Sequence, residues 1–137
     1  MTLLRNYTPQ IISLTRFVIG LLLFAHGLAK CVGFPSTPMA NVSFSTPFGI
    51  AGILELVGGF LLIVGLFTRP TAFVLSGMAA VAYFYVHLPK SFMPILNGGE
   101  AAVLFCFSLL YLSAVGGGAW SADRWFNLSN DQDMSPR

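Results

Sequence analysis

Residues 48–67, FGIAGILELVGGFLLIVGLF, are twenty residues carrying one charge, Glu55, and five glycines. As a helix such a run rises about 30 Å, the thickness of a bilayer's hydrocarbon core. A carboxylate well inside the span costs roughly 2.5–3.5 kcal/mol on insertion scales, so something must offset it. What Glu55 faces is therefore the first question this chain poses.

The composition agrees with a membrane setting. The 137 residues are 55% hydrophobic and only 9% charged, against roughly 25% charged in soluble domains. The mean hydropathy is +0.77. This leaves room for about four spans and no separate soluble domain. The net charge of +2 is small and scattered, which argues against nucleic-acid binding.

Four spans are expected, at about residues 10–31, 47–67, 71–88 and 97–115, within a membrane domain covering 1–126. The polar tail is 127–137. Pro9 and Pro47 suit helix starts. The loop 33–46 is turn-rich yet carries Phe34, Met39 and Phe44. Thr68-Arg69-Pro70 reads as a tight turn. Asn97 reads as an N-cap with Glu100 at the third position. Trp120, Trp125 and Phe126 read as an interfacial belt. A cleaved signal peptide at the first span is the weaker reading, because Lys30 sits where a small residue is needed.

Basic loop residues set the orientation. Arg5, Arg69, Arg124 and Arg137 share one side, and Lys30 and Lys90 the other. The expectation is an all-α, integral membrane four-transmembrane-helix bundle with both termini cytoplasmic.

Ionisable groups then converge in the outer half of the bundle. Glu55 lies about 12 Å below the outer surface. His26 and Lys30 lie near the outer end of the first span, His87 closes the third and Glu100 opens the fourth. Arg16 lies about three turns deeper. Helical spacing puts Arg16, Gly20, Gly27 and Lys30 on one face, with His26 beside it. It does the same for Gly52, Glu55, Gly59 and Leu62, for Ser76, Ala80, Tyr83 and His87, and for Glu100, Leu104, Phe107 and Tyr111. Four such stripes facing one another make a polar interior. The bland readings stand beside this one: Lys30 as a snorkelling anchor, Glu100 as a first-turn carboxylate, His87 as an interfacial histidine.

A His–Glu pair in such a site relays protons or hydrogen-bonds a quinone's carbonyls. Metal binding is disfavoured because no Glu-x-x-His motif is present. Haem held by His26 and His87 remains an alternative. Cys31 and Cys106 form no CxxC. No hydrolase, kinase or dinucleotide motif occurs.

Several motifs together resemble the DoxX family of small four-helix membrane proteins. They are Arg16-Phe17-x-x-Gly20 and His26-Gly27-x-x-Lys30, then Gly52-x-x-Glu55-x-x-Gly58-Gly59, Leu61 to Arg69-Pro70, Asn97-Gly98-Gly99-Glu100, and Gly118-Ala119-Trp120-Ser121-x-Asp123. The resemblance covers about residues 10–125. It implies a multi-pass protein of the bacterial inner membrane. Some members are linked to quinone-dependent sulfur oxidation as a small subunit, others to redox stress. Arg16, Lys30, Glu55 and Glu100 match the family's polar positions, without a defined catalytic role.

Two readings follow. In the first, the bundle is a redox-associated subunit of a quinone-dependent oxidoreductase, not a stand-alone enzyme. It holds a quinone or similar small hydrophobic ligand through Glu55 and His26, with Arg16 and Glu100 setting the local field. In the second, it is a non-enzymatic assembly subunit whose glycine faces dock partner proteins or further copies of itself. A small permease is a third and lesser reading.

Overall fold

The computed structural model describes residues 4–128; the end of the expected polar tail, 129–137, lies outside them. Every regular element among the described residues is helical. A short 3₁₀ turn, Arg5–Tyr7, leads into α1, Thr8–Val32. Helix α2 is Pro47–Val64 and α3 is Thr68–Ala82, which continues as a π-helical turn, Tyr83–His87. A single turn, α4, Pro94–Asn97, precedes α5, Glu100–Val115, and a last turn, α6, is Ala122–Trp125.

The ends follow local chemistry. Thr46 caps α2 by accepting a hydrogen bond from the Gly49 N–H at 3.1 Å, with Pro47 in the first position. Gly65, in the left-handed conformation, stops α2. The turn expected at Thr68-Arg69-Pro70 is instead the first turn of α3. Pro70 is tolerated there because first-turn N–H groups have no intrahelical acceptor. The chain reverses one step earlier, at Gly65 to Phe67. Asn97 also differs from expectation: it closes α4, and α5 begins at Glu100 after Gly98 turns at φ 69°.

Three helical stretches among the described residues are long and apolar enough to cross a membrane: Arg5–Val32, Pro47–Val64 and Thr68–His87. Helix α5 has 16 residues, about 24 Å of rise, short of a full hydrocarbon core.

Helix α1 lies against α2, and α3 against α5; the two pairs meet through α2 and α3. The core between them holds Leu23, Leu62, Leu75, Leu109 and Leu112. The α1–α2 seam is glycine-lined. A Cβ on Gly59 would stand 2.5 Å from the Phe24 nitrogen and 2.9 Å from the Gly20 oxygen, and one on Gly20 would stand 2.8 Å from the Ile63 nitrogen. The backbones are therefore in direct contact, the geometry that small residues permit in membranes. These glycine faces are consumed inside the chain rather than offered to a partner.

The two ends of the bundle are tied differently. At one end the segment after α5 folds under α1 and α2, where the Ala119 N–H donates to the Pro9 carbonyl at 3.0 Å. Both described termini thus lie at this end, with Arg5, Arg69 and Arg124. At the other end the loop between α1 and α2 returns to α1, its Val42 N–H donating to the Lys30 carbonyl at 3.0 Å.

Candidate functional site

Glu55 faces Lys30. The ammonium donates to Oε1 at 2.8 Å and lies 2.7 Å from Oε2. Both side chains are buried, at 11% and 8% exposure. The glycine seam makes this possible. Gly52 and Gly59 flank Glu55 by one turn on either side, and Gly27 precedes Lys30 by one turn. With no Cβ at these places, two helices approach closely enough for a lysine and a glutamate to meet. A Cβ on Gly52 would press on the Lys30 stem at 2.9 Å and on the Cys31 sulfur at 3.2 Å.

The pair is not saturated. Glu55 Oε2 is met by the Lys30 ammonium alone, and no other group among the described residues donates to it. An ammonium has three donors, and Glu55 is the partner Lys30 has among the described residues. The pair thus has hydrogen-bonding capacity left over, on the ammonium and on both carboxylate oxygens, under a loop tied to the Lys30 carbonyl.

The remaining expected site residues lie elsewhere. His26 is exposed; its Nδ1 is 2.9 Å from the Leu22 carbonyl of its own helix, and its ring meets the edge of Phe105 at 6.2 Å. His87 belongs to a second polar cluster on the other helix pair. Its Nδ1 is 3.1 Å from the Asn97 carbonyl and its ring stacks on Tyr83 at 6.3 Å. Asn97 is buried, donating to the Ser91 carbonyl at 2.8 Å and accepting from the Gly99 N–H at 2.7 Å. Glu100 is exposed at the start of α5, and the stripe it begins points out of the bundle, Leu104 at 68% and Phe107 at 65% exposure. Periodicity failed there because α5 is apolar on every side and so selects no face.

Arg16 is 2% exposed and sits about 21 Å along α1 from Lys30. Its partners are backbone carbonyls: Ile63 at 2.9 Å and Leu62 at the end of α2, with Gly117 at 2.9 Å and Trp120 at 2.5 Å after α5. Leu62 and Ile63 lie in the last turn of α2, where helix carbonyls lack intrahelical donors, and Gly117 and Trp120 lie in the irregular segment after α5. Arg16 thus clamps three chain segments at the other end of the bundle. Asp123, which sequence reasoning noticed only as part of a motif, completes the clamp. It accepts from the Phe67 and Thr68 N–H groups at 2.6 and 2.8 Å and so caps α3 from outside. Ser13 was missed as well; it accepts from the Trp120 N–H at 2.9 Å. Its position one turn before Arg16 was the available signal.

Ser76 donates to the Cys106 carbonyl at 2.7 Å, and Cys31 and Cys106 are free thiols. No group of three or more His, Cys, Asp or Glu side chains placed to hold a metal ion occurs among the described residues.

Comparison with known proteins adds the family. The DoxX profile matches residues 11–88, the stretch holding α1 to α3 with Arg16, Lys30 and Glu55. An uncharacterized protein of Haemophilus influenzae is 41% identical over 128 residues, covering 90% of this chain and 96% of its own length. Inner membrane protein YphA of Escherichia coli is 27% identical over 126 residues, covering 85% of this chain and 90% of its own. No solved structure matches. The chain belongs to the DoxX family of membrane proteins.

Proposed function

We propose that the protein is a multi-pass bacterial inner-membrane subunit that holds a quinone or similar small carbonyl ligand at Lys30–Glu55. The supporting observation is a buried Lys30–Glu55 ion pair whose two charged groups have only each other as partners among the described residues. Lys30 would donate to a ligand carbonyl, and Oε2 would accept from the hydroxyl of the reduced form. A bound quinone would supply two-electron redox chemistry. The chain's part is to orient the headgroup, to keep water out and to offer a proton acceptor. His26, one turn before Lys30 and outward-facing, would exchange protons with the surface. His87 and Glu100, on the other helix pair, would act outside this contact, and Arg16 would serve the fold.

The orientation belongs to the same reading. The end with Arg5, Arg69 and Arg124 would be cytoplasmic by the basic-residue rule, with α5 as a short fourth span. The Lys30–Glu55 pair would then lie in the outer half of the membrane. The name of the Escherichia coli relative supports the inner membrane as the location.

Native mass spectrometry of gently extracted protein tests this. The expected result is a bound mass matching a quinone that is lost in Glu55→Gln. A wild-type protein without such a mass would contradict it.

One observation favours a second reading. Arg16, Lys30, Glu55 and Asp123 all find partners within the chain, as they would in a non-enzymatic assembly subunit. Copurification of a stoichiometric protein partner that is unaffected by Glu55→Gln would support it.

A further inference from the structure

A groove of about 380 Å³ opens beside the first turns of α1, at the end of the bundle opposite Lys30–Glu55. Its volume is within the range of small-molecule clefts, about 300–1,000 Å³. Leu4, Ile11 and Ile12 make it apolar, and Tyr111 of α5 forms its far wall. Arg5 stands at one extreme of the lining and Thr15 at the other. Ten residues separate them, about 15 Å of helix, which is half of a ~30 Å hydrocarbon core. A charged mouth and one leaflet's depth of apolar wall match a phospholipid in shape and order.

The charges at this end choose the headgroup. The Arg5 guanidinium has no hydrogen-bond or ion-pair partner among the described residues. Exposed Arg69 and Arg124 lie at the same end. The acidic side chain described there, Asp123, is buried and committed to the Phe67 and Thr68 N–H groups. Among the described residues the net charge at this end is therefore positive, and a zwitterionic headgroup would gain less from it than an anionic one. The Tyr111 and Thr15 hydroxyls also have no partner among the described residues, so they are free to meet the ester oxygens that lie below a phosphate.

We infer that this groove is a binding site for one anionic phospholipid, its phosphate on Arg5 and an acyl chain laid along Ile11 and Ile12. Basic pockets beside membrane helices on the cytoplasmic side commonly take such headgroups. The site is independent of the Lys30–Glu55 ligand and stands or falls without it.

The test is native mass spectrometry of delipidated full-length protein titrated with phosphatidylglycerol or phosphatidylethanolamine, with inorganic phosphate as competitor. One tight phosphatidylglycerol adduct is expected, with phosphatidylethanolamine weaker. Arg5→Gln should weaken phosphatidylglycerol about fivefold, as loss of one surface cation predicts. Arg5→Lys should restore most of it. Thr15→Phe, at an exposed position, should fill the groove and remove the adduct while Arg5 remains. Equal affinity for the two lipids, or indifference to both Arg5→Gln and Thr15→Phe, would overturn the assignment. So would displacement by millimolar phosphate, which would reduce the site to a phosphate contact.

Discussion

The charges of this chain fall into two kinds by what they touch. Arg16 bonds carbonyls in the last turn of α2 and in the segment after α5, and so clamps the end of the bundle where both described termini lie. Its planar fork reaches four acceptors at once, which a lysine cannot do. Arg16→Lys should therefore cost about 2 kcal/mol or more, read as a fall in thermal stability in detergent, since bonds to charged groups are worth about 1.5–3 kcal/mol each. An unchanged melting temperature would show that the clamp is incidental. Lys30 and Glu55 are different, because each is the other's partner. Lys30→Met alone strands a buried carboxylate and should destabilise by about 3–5 kcal/mol. A loss under 1 kcal/mol would mean that water reaches the pair. Sequence reasoning found Glu55, Lys30 and Arg16 because a charge in an apolar helix demands a partner. It did not find which partner, since the nearest candidates by depth were His26, His87 and Glu100. The rotation of α1 about its axis decides that, and glycines at 20, 27, 52 and 59 set the rotation.

At the scale of elements, the seam between α1 and α2 depends on missing side chains. Gly59 has backbone against it, whereas Gly77 on α3 has nothing within 4 Å of where a Cβ would stand. Gly59→Ala should destabilise by about 2 kcal/mol or more, because the backbones must separate. Gly77→Ala should be neutral or stabilising by up to about 1 kcal/mol, from helix propensity alone. Comparing the two variants by thermal unfolding checks both; equal effects would refute the close approach of α1 and α2. Helix identity was legible from apolar run length, and the ends of α2 from Thr46, Pro47 and Gly65. The break at Gly98 was harder to see. Asn97-Gly98-Gly99-Glu100 reads equally as a cap or as a turn between two helices, and the left-handed Gly98, at φ 69°, decides for the turn.

The whole molecule is two helix pairs joined at a common core, tied at one end by Arg16 and Asp123 and at the other by the loop above Lys30. The basic-residue rule predicts which end faces the cytoplasm. In a background without the native cysteines, Phe92→Cys should react with an impermeant maleimide added to intact cells. Trp125→Cys should react only after permeabilisation. Both positions are well exposed, at 81% and 87%. The reverse pattern would invert the orientation. In the proposed function Lys30–Glu55 holds a ligand as well as the fold, and removing the pair together separates the two. Replacing a buried ion pair by apolar side chains is often neutral for stability. The double variant Lys30→Met with Glu55→Leu should therefore fold with near wild-type stability. Titration of the purified variant with a short-chain quinone should then show binding reduced at least tenfold from the wild-type protein. Wild-type affinity in the folded double variant would contradict ligand binding at this pair and leave it a structural contact.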